Sequence, residues 1–131
     1  MGTWSGQPFG NDGAADWGWE LDDASDWGPV RQALNDALEG PLDGDVAETA
    51  IAAAEVVAHG LGRPTQSDAY TVSVSAFVER VGAPPADLVP LAVAALGTAT
   101  GPDSELTELW NEADPTEWRE DCAKLDAALR G

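Results

Sequence analysis

Proline and glycine cut this chain at fairly even intervals, and that punctuation limits it to short elements. Gly40-Pro41, Arg63-Pro64, Pro84-Pro85, Gly101-Pro102 and Asp114-Pro115 interrupt it at intervals of 13 to 23 residues. Proline lacks the backbone N–H and pushes the preceding residue away from helical angles, so helices end near these points. Between the breaks, apolar residues recur at three- and four-residue spacing, which marks one face of a helix. Ala14, Trp17, Leu21 and Ala24 do so in the first segment, with Asn11 placed to cap it. Val30, Leu34, Ala37 and Leu38 do so in the second, behind a cap at Ser25 or Asp26 and with Pro29 in the first turn.

A third helix is expected over about Asp45 to Ala58, where alanines permit close approach of neighbouring helices. Residues 68–81 fit two patterns. Val72, Val74, Ala76 and Val78 alternate as in a strand, whereas Tyr70, Val74, Phe77, Val78 and Val81 fit a helix over a longer span. Helix is the reading adopted. Leu88 to Leu96 is apolar almost all round, which predicts a central, buried helix. Leu106, Leu109, Trp110 and Ala113 point inward from a sixth helix capped by Asp103 or Ser104. Trp118, Cys122, Leu125 and Leu129 do so from a seventh, capped by Asp114 with Pro115 at its first position. The expectation is one all-α domain over residues 1–131: about seven short helices in an irregular antiparallel bundle, with HEAT-like helix pairs as one way to stack them. Residues 1–10 form an ordered N-terminal loop in this reading. Trp4 and Phe9 tuck against the helices, because two aromatics in ten residues are costly to leave in water.

The charge balance narrows the partners. With 24 acidic and 6 basic residues the net charge is −18. Such a field repels nucleic acid and anionic membranes and attracts a basic protein or a cation. No apolar run approaches membrane-spanning length, and the first residues lack the basic and apolar stretches of a signal peptide. Cys122 is the lone cysteine, so no internal disulfide exists and a reducing compartment fits. A soluble, cytoplasmic protein is expected.

The run Met1-Gly2-Thr3-Trp4-Ser5-Gly6-Gln7-Pro8-Phe9-Gly10-Asn11-Asp12, followed by Ala14-Ala15-Asp16-Trp17, resembles the N-terminal signature of a bacterial family known as domain of unknown function 4259. The likeness continues through Ala52-Ala53-Ala54-Glu55-Val56-Val57-Ala58 and Leu61-Gly62-Arg63-Pro64 to Ser104-Glu105-Leu106-Thr107-Glu108-Leu109-Trp110. One departure is Ser5, where the family pattern carries glycine. The resemblance implies a small all-helical domain of the bacterial cytosol and no activity.

Little in the sequence points to catalysis. His59 is the single histidine, at a helix end where it suits the dipole, and no nucleophile motif accompanies it. Cys122 lies on an apolar stripe and reads as a buried thiol. Asp12, Asp16, Glu20 and Asp23 share one helix face, where Asp12 and Asp16 could hold Mg²⁺ or Ca²⁺, or simply meet water. Tryptophans beside carboxylates at Trp19, Asp22, Asp23, Asp26 and Trp27 suggest an interface for a basic partner. Three functions follow from the sequence. The first is a non-enzymatic acidic interaction domain, of which an immunity or antitoxin-type inhibitor is one form. The second is a divalent-cation-binding domain or metal-dependent enzyme using the N-terminal carboxylates. The third is a structural accessory domain without a dedicated site.

Overall fold

The computed structural model describes residues 3–131. Among the described residues the fold has seven α-helices: α1 Asp12–Trp19, α2 Gly28–Glu39, α3 Gly44–Gly60, α4 Val72–Val81, α5 Leu88–Ala99, α6 Glu105–Glu112 and α7 Thr116–Arg130. Short 3₁₀ turns follow α1 at Glu20–Asp23 and precede α4 at Ala69–Thr71. Among the described residues there is no strand, only a single antiparallel bridge between Thr3 and Asn11. The segment that read two ways is therefore helical. Its start is set by Asp68, whose side chain accepts from the Tyr70 amide while the Thr71 hydroxyl accepts from the Asp68 amide.

Every other helix touches α3. From Ala50 to Ala58 each residue of α3 is buried, and five of these are alanines. Small side chains all round a helix let neighbours approach on every side, which makes this helix a hub. A row of stacked pairs would instead join only nearest neighbours. The central position expected for the Leu88 segment thus falls to α3. Helix α5 buries Leu88, Ala92, Ala95, Leu96 and Ala99 but turns Pro90, Ala94 and Gly97 outward. Its hydropathy ran all round, and α2, α3 and α7 cover it except along that face.

The helix starts follow local chemistry. Asn11 accepts from the Ala14 amide at 2.7 Å, and Asp43 accepts from the Val46 amide at 2.9 Å, so α1 and α3 each have a side-chain cap. At α2 and α7 the acid lies just before the cap. Asp26 accepts from the Gly28 amide and Asp114 from the Thr116 amide, which leaves Trp27 and Pro115 as the capping residues themselves. Several residues placed on inward faces turn outward. Leu109 is 52% exposed, while Leu38, Tyr70 and Ala113 are also exposed.

The N-terminal loop is ordered by its own backbone and by both ends of the fold. The Trp4 amide donates to the Gly10 carbonyl and the Gly10 amide to the Gln7 carbonyl, each at 2.9 Å. Phe9 is fully buried; Trp4, expected beside it, stays 45% exposed and lies over Tyr70 with ring centroids 5.1 Å apart. Gly6 lies against α7: a β-carbon there would sit 2.7 Å from the Trp118 backbone nitrogen. Its amide donates to Glu117 at 3.1 Å. Ser5 has a negative φ, so its place in the family's glycine position carries no backbone strain.

Candidate functional site

The tryptophan-and-carboxylate stretch is split by the fold. Helix α1 ends in the 3₁₀ turn, which buries Leu21 and turns its neighbours outward. Trp19 is 68% exposed, and Asp16, Glu20, Asp22, Asp23 and Asp26 are exposed around that turn. None of the carboxylates from Asp12 to Asp26 pairs with a cation among the described residues. Arg80, which reaches this turn, binds backbone instead: it donates to the Leu21 and Ala24 carbonyls at 2.7 and 2.8 Å and so fixes the turn.

Trp27 does not belong to this surface. It is 6% exposed and packs edge-on against Phe77 with centroids 4.9 Å apart. Gly60 makes the room, since a β-carbon there would meet the indole at 2.9 Å. The pairing of Trp19 with Trp27 as one exposed patch fails because the chain turns between them. Trp27 opens α2 against α4, whereas Trp19 closes α1 facing water. The buried Trp27 indole N–H finds no acceptor among the described residues.

Asp12 and Asp16 lie exposed on α1. Among the described residues no three His, Cys, Asp or Glu side chains converge as a metal ion requires.

Two features lie outside the predicted site. The first is a groove of about 290 Å³ lined by Thr3, Glu48, Leu106, Leu109, Trp110 and Ala113. It adjoins a narrow cleft of about 10 Å³ under the N-terminal loop, closed by Ile51 and Trp118. Trp110 and Trp118 stack with centroids 5.9 Å apart and planes within 7°. Glu48 is half-buried there. Burial, and then the charges of Asp45 and Asp12, push its carboxyl up to about 7. The sequence signal was weak, because Glu48 is one of 24 acids.

The second is a buried polar network on α3. The Glu55 carboxylate is wholly buried and accepts from the Thr65 amide at 2.9 Å, the Gln66 amide at 3.0 Å and the Thr65 hydroxyl. His59 Nε2 lies 3.0 Å from Glu55 and 2.9 Å from the Gln66 carbonyl. Both neighbours are acceptors, so that nitrogen carries the proton. Gln66 passes the connection on, accepting from the Phe9 amide at 2.8 Å. This network ties the 65–66 loop and the N-terminal loop to the hub. His59, expected to serve the helix dipole, is held by Glu55 instead.

A family model for a domain of unknown function, DUF4259, matches residues 2–121 of the 131. The chain belongs to this family. The match spans the N-terminal loop, the hub helix and the α6 groove, so these features lie inside the DUF4259 domain, and it ends within the first half of α7. No curated protein and no solved structure matches the chain. Cys122 of this DUF4259 chain is buried, and burial pushes its thiol up to about 12, where it is not nucleophilic. Among the described residues no helix is long and apolar enough to cross a membrane.

Proposed function

We propose that this DUF4259 domain is a non-enzymatic interaction protein that binds a basic protein through the surface around Trp19. The observation that supports it is a large indole, 68% exposed, amid carboxylates that have no internal cation among the described residues. The core does not need Trp19, and an exposed tryptophan of this kind is the usual anchor of an interface. The carboxylates Asp16, Asp22, Asp23 and Asp26 supply complementarity and speed encounter with a cationic surface. Inhibition of a basic toxin or nuclease, as immunity and antitoxin proteins perform it, is the form of activity that suits this charge and size. The divalent-cation alternative finds no converging ligand set among the described residues to support it.

The test is a pull-down with the wild-type chain and Trp19→Ala as baits, at low and high salt. A basic partner is expected, released by salt, and bound about 30-fold more weakly by the variant, as for a hot-spot residue worth about 2 kcal/mol. Recovery of neutral or acidic partners alone, or binding indifferent to salt, would refute the proposal.

A further inference from the structure

The groove beside α6 sets apolar walls around a single carboxylate. Its walls are Leu106, Leu109, Trp110 and Ala113, with Thr3 at one edge; its one ionisable group is Glu48 on α3. Leu109 stands 52% exposed on α6 although it lines an apolar wall. Glu48 is withdrawn from water, has no hydrogen-bond donor or cation among the described residues, and has Asp12 and Asp45 for charged neighbours. Both leave it wanting a positive charge that the described part of the fold does not supply.

Apolar walls around one carboxylate suit a particular shape: a long aliphatic stem ending in a cation. Lysine and arginine bury their stems on apolar surface and keep the charge at the tip. The Trp110 indole, stacked on Trp118, adds apolar wall for such a stem. A volume of about 290 Å³ is enough for one such side chain and an apolar neighbour. A metal ion fits less well, because no three candidate ligands converge among the described residues and the walls offer carbon.

Building on the reading that this chain meets a basic protein, we propose that the α6 groove receives a lysine or arginine from an amphipathic basic segment of that partner. The cation rests on Glu48, and the stem lies between Leu109 and Trp110. The groove is then a second, side-chain-specific contact beside the diffuse attraction of the acidic surface. Because the contact needs the carboxylate ionised, binding strengthens as pH rises from 6 to 8.

The probe is a short synthetic peptide of leucine and lysine, titrated by calorimetry against the full chain at fixed salt. Glu48→Gln should weaken it about 10-fold, the loss of one well-placed charge pair of about 1.4 kcal/mol. Glu39→Gln removes the same charge from an exposed site at the end of α2 and should change affinity less than about twofold, as surface charges do. Leu109→Ala should weaken binding as well, and circular dichroism should show each variant as helical as the wild type. Equal losses in Glu48→Gln and Glu39→Gln would mean attraction without a site and would overturn the groove. Loss on Trp19→Ala with none on Glu48→Gln would overturn the groove and leave the acidic-face proposal standing. Saturable binding of butylammonium that the peptide does not displace would assign the groove to a small amine, which also overturns the proposal.

Discussion

Glu55 is the place to break this fold. Its carboxylate is fully buried on the hub helix and accepts three hydrogen bonds from residues 65 and 66, two of them from backbone amides. Glu55→Ala leaves those amides and the His59 N–H facing a void. An orphaned buried donor costs about 1–3 kcal/mol, so two amides alone come to roughly 2–6 kcal/mol. The cavity adds to this. A domain has about 5–15 kcal/mol in total, so the variant should be unfolded or close to it. Glu55→Gln is the informative partner. Its carbonyl can take the oxygen position that serves both backbone amides, and its NH₂ can face the Thr65 hydroxyl, which rotates to accept. Only the charge assistance goes, which makes the bonds roughly half as strong and costs about 1–2 kcal/mol. Urea unfolding followed by tryptophan fluorescence measures both. The alanine variant should fall below the glutamine one, by about 2–3 kcal/mol at the middle of these ranges. Two variants of equal stability, or an alanine variant within about 1 kcal/mol of wild type, would show that this network does not carry the loop.

Three more outcomes test other parts of the account. Gly6→Ala should cost about 1–3 kcal/mol in urea unfolding, because the new methyl meets α7 backbone rather than a movable side chain; an unchanged midpoint would mean the loop is not seated there. Glu48 has a raised folded pKa, so the folded state holds its proton more tightly than the unfolded one. The resulting stability is fully present below about 4.3, the unfolded value, and is lost as pH rises through about 7. The melting temperature of wild type relative to Glu48→Gln should therefore drop between pH 5 and pH 8, and parallel curves would contradict the burial argument. Cys122, with its thiol pushed up to about 12, should react with Ellman's reagent only as fast as the protein unfolds; rapid labelling at neutral pH would show an open α7.

The helices were legible because local signals agreed. Asn11 caps α1 as its place in the sequence predicts, and the prolines mark the breaks. Burial was legible only where neighbours happened to cover the apolar face. Leu38 and Leu109 keep helical spacing yet face water, because periodicity tells which residues share a side and not whether another helix reaches it. Trp19 and Trp27 looked alike in sequence; the turn between them, fixed by Arg80 far along the chain, separated them. Glu55 could have been found. It is the one charged residue from Ala50 to Ala58, so it has no exposed face to occupy, and a charge there needs donors. His59 four residues later was the nearest hint. The α6 groove had no such signal, since Thr3, Glu48 and Leu106 come together only through tertiary packing.

The seat of Gly6 on Trp118 joins residues 111 positions or more apart, through the Glu117 bond beside it. During synthesis the loop around Gly6 must therefore wait for α7, which is made more than a hundred residues later. Until α7 emerges, Phe9 and its loop have Gln66 to hold them but no floor beneath Gly6. The half-made domain would show Trp4, Phe9 and their loop unseated, and chaperones or early assembly partners would meet that loop before the finished domain does.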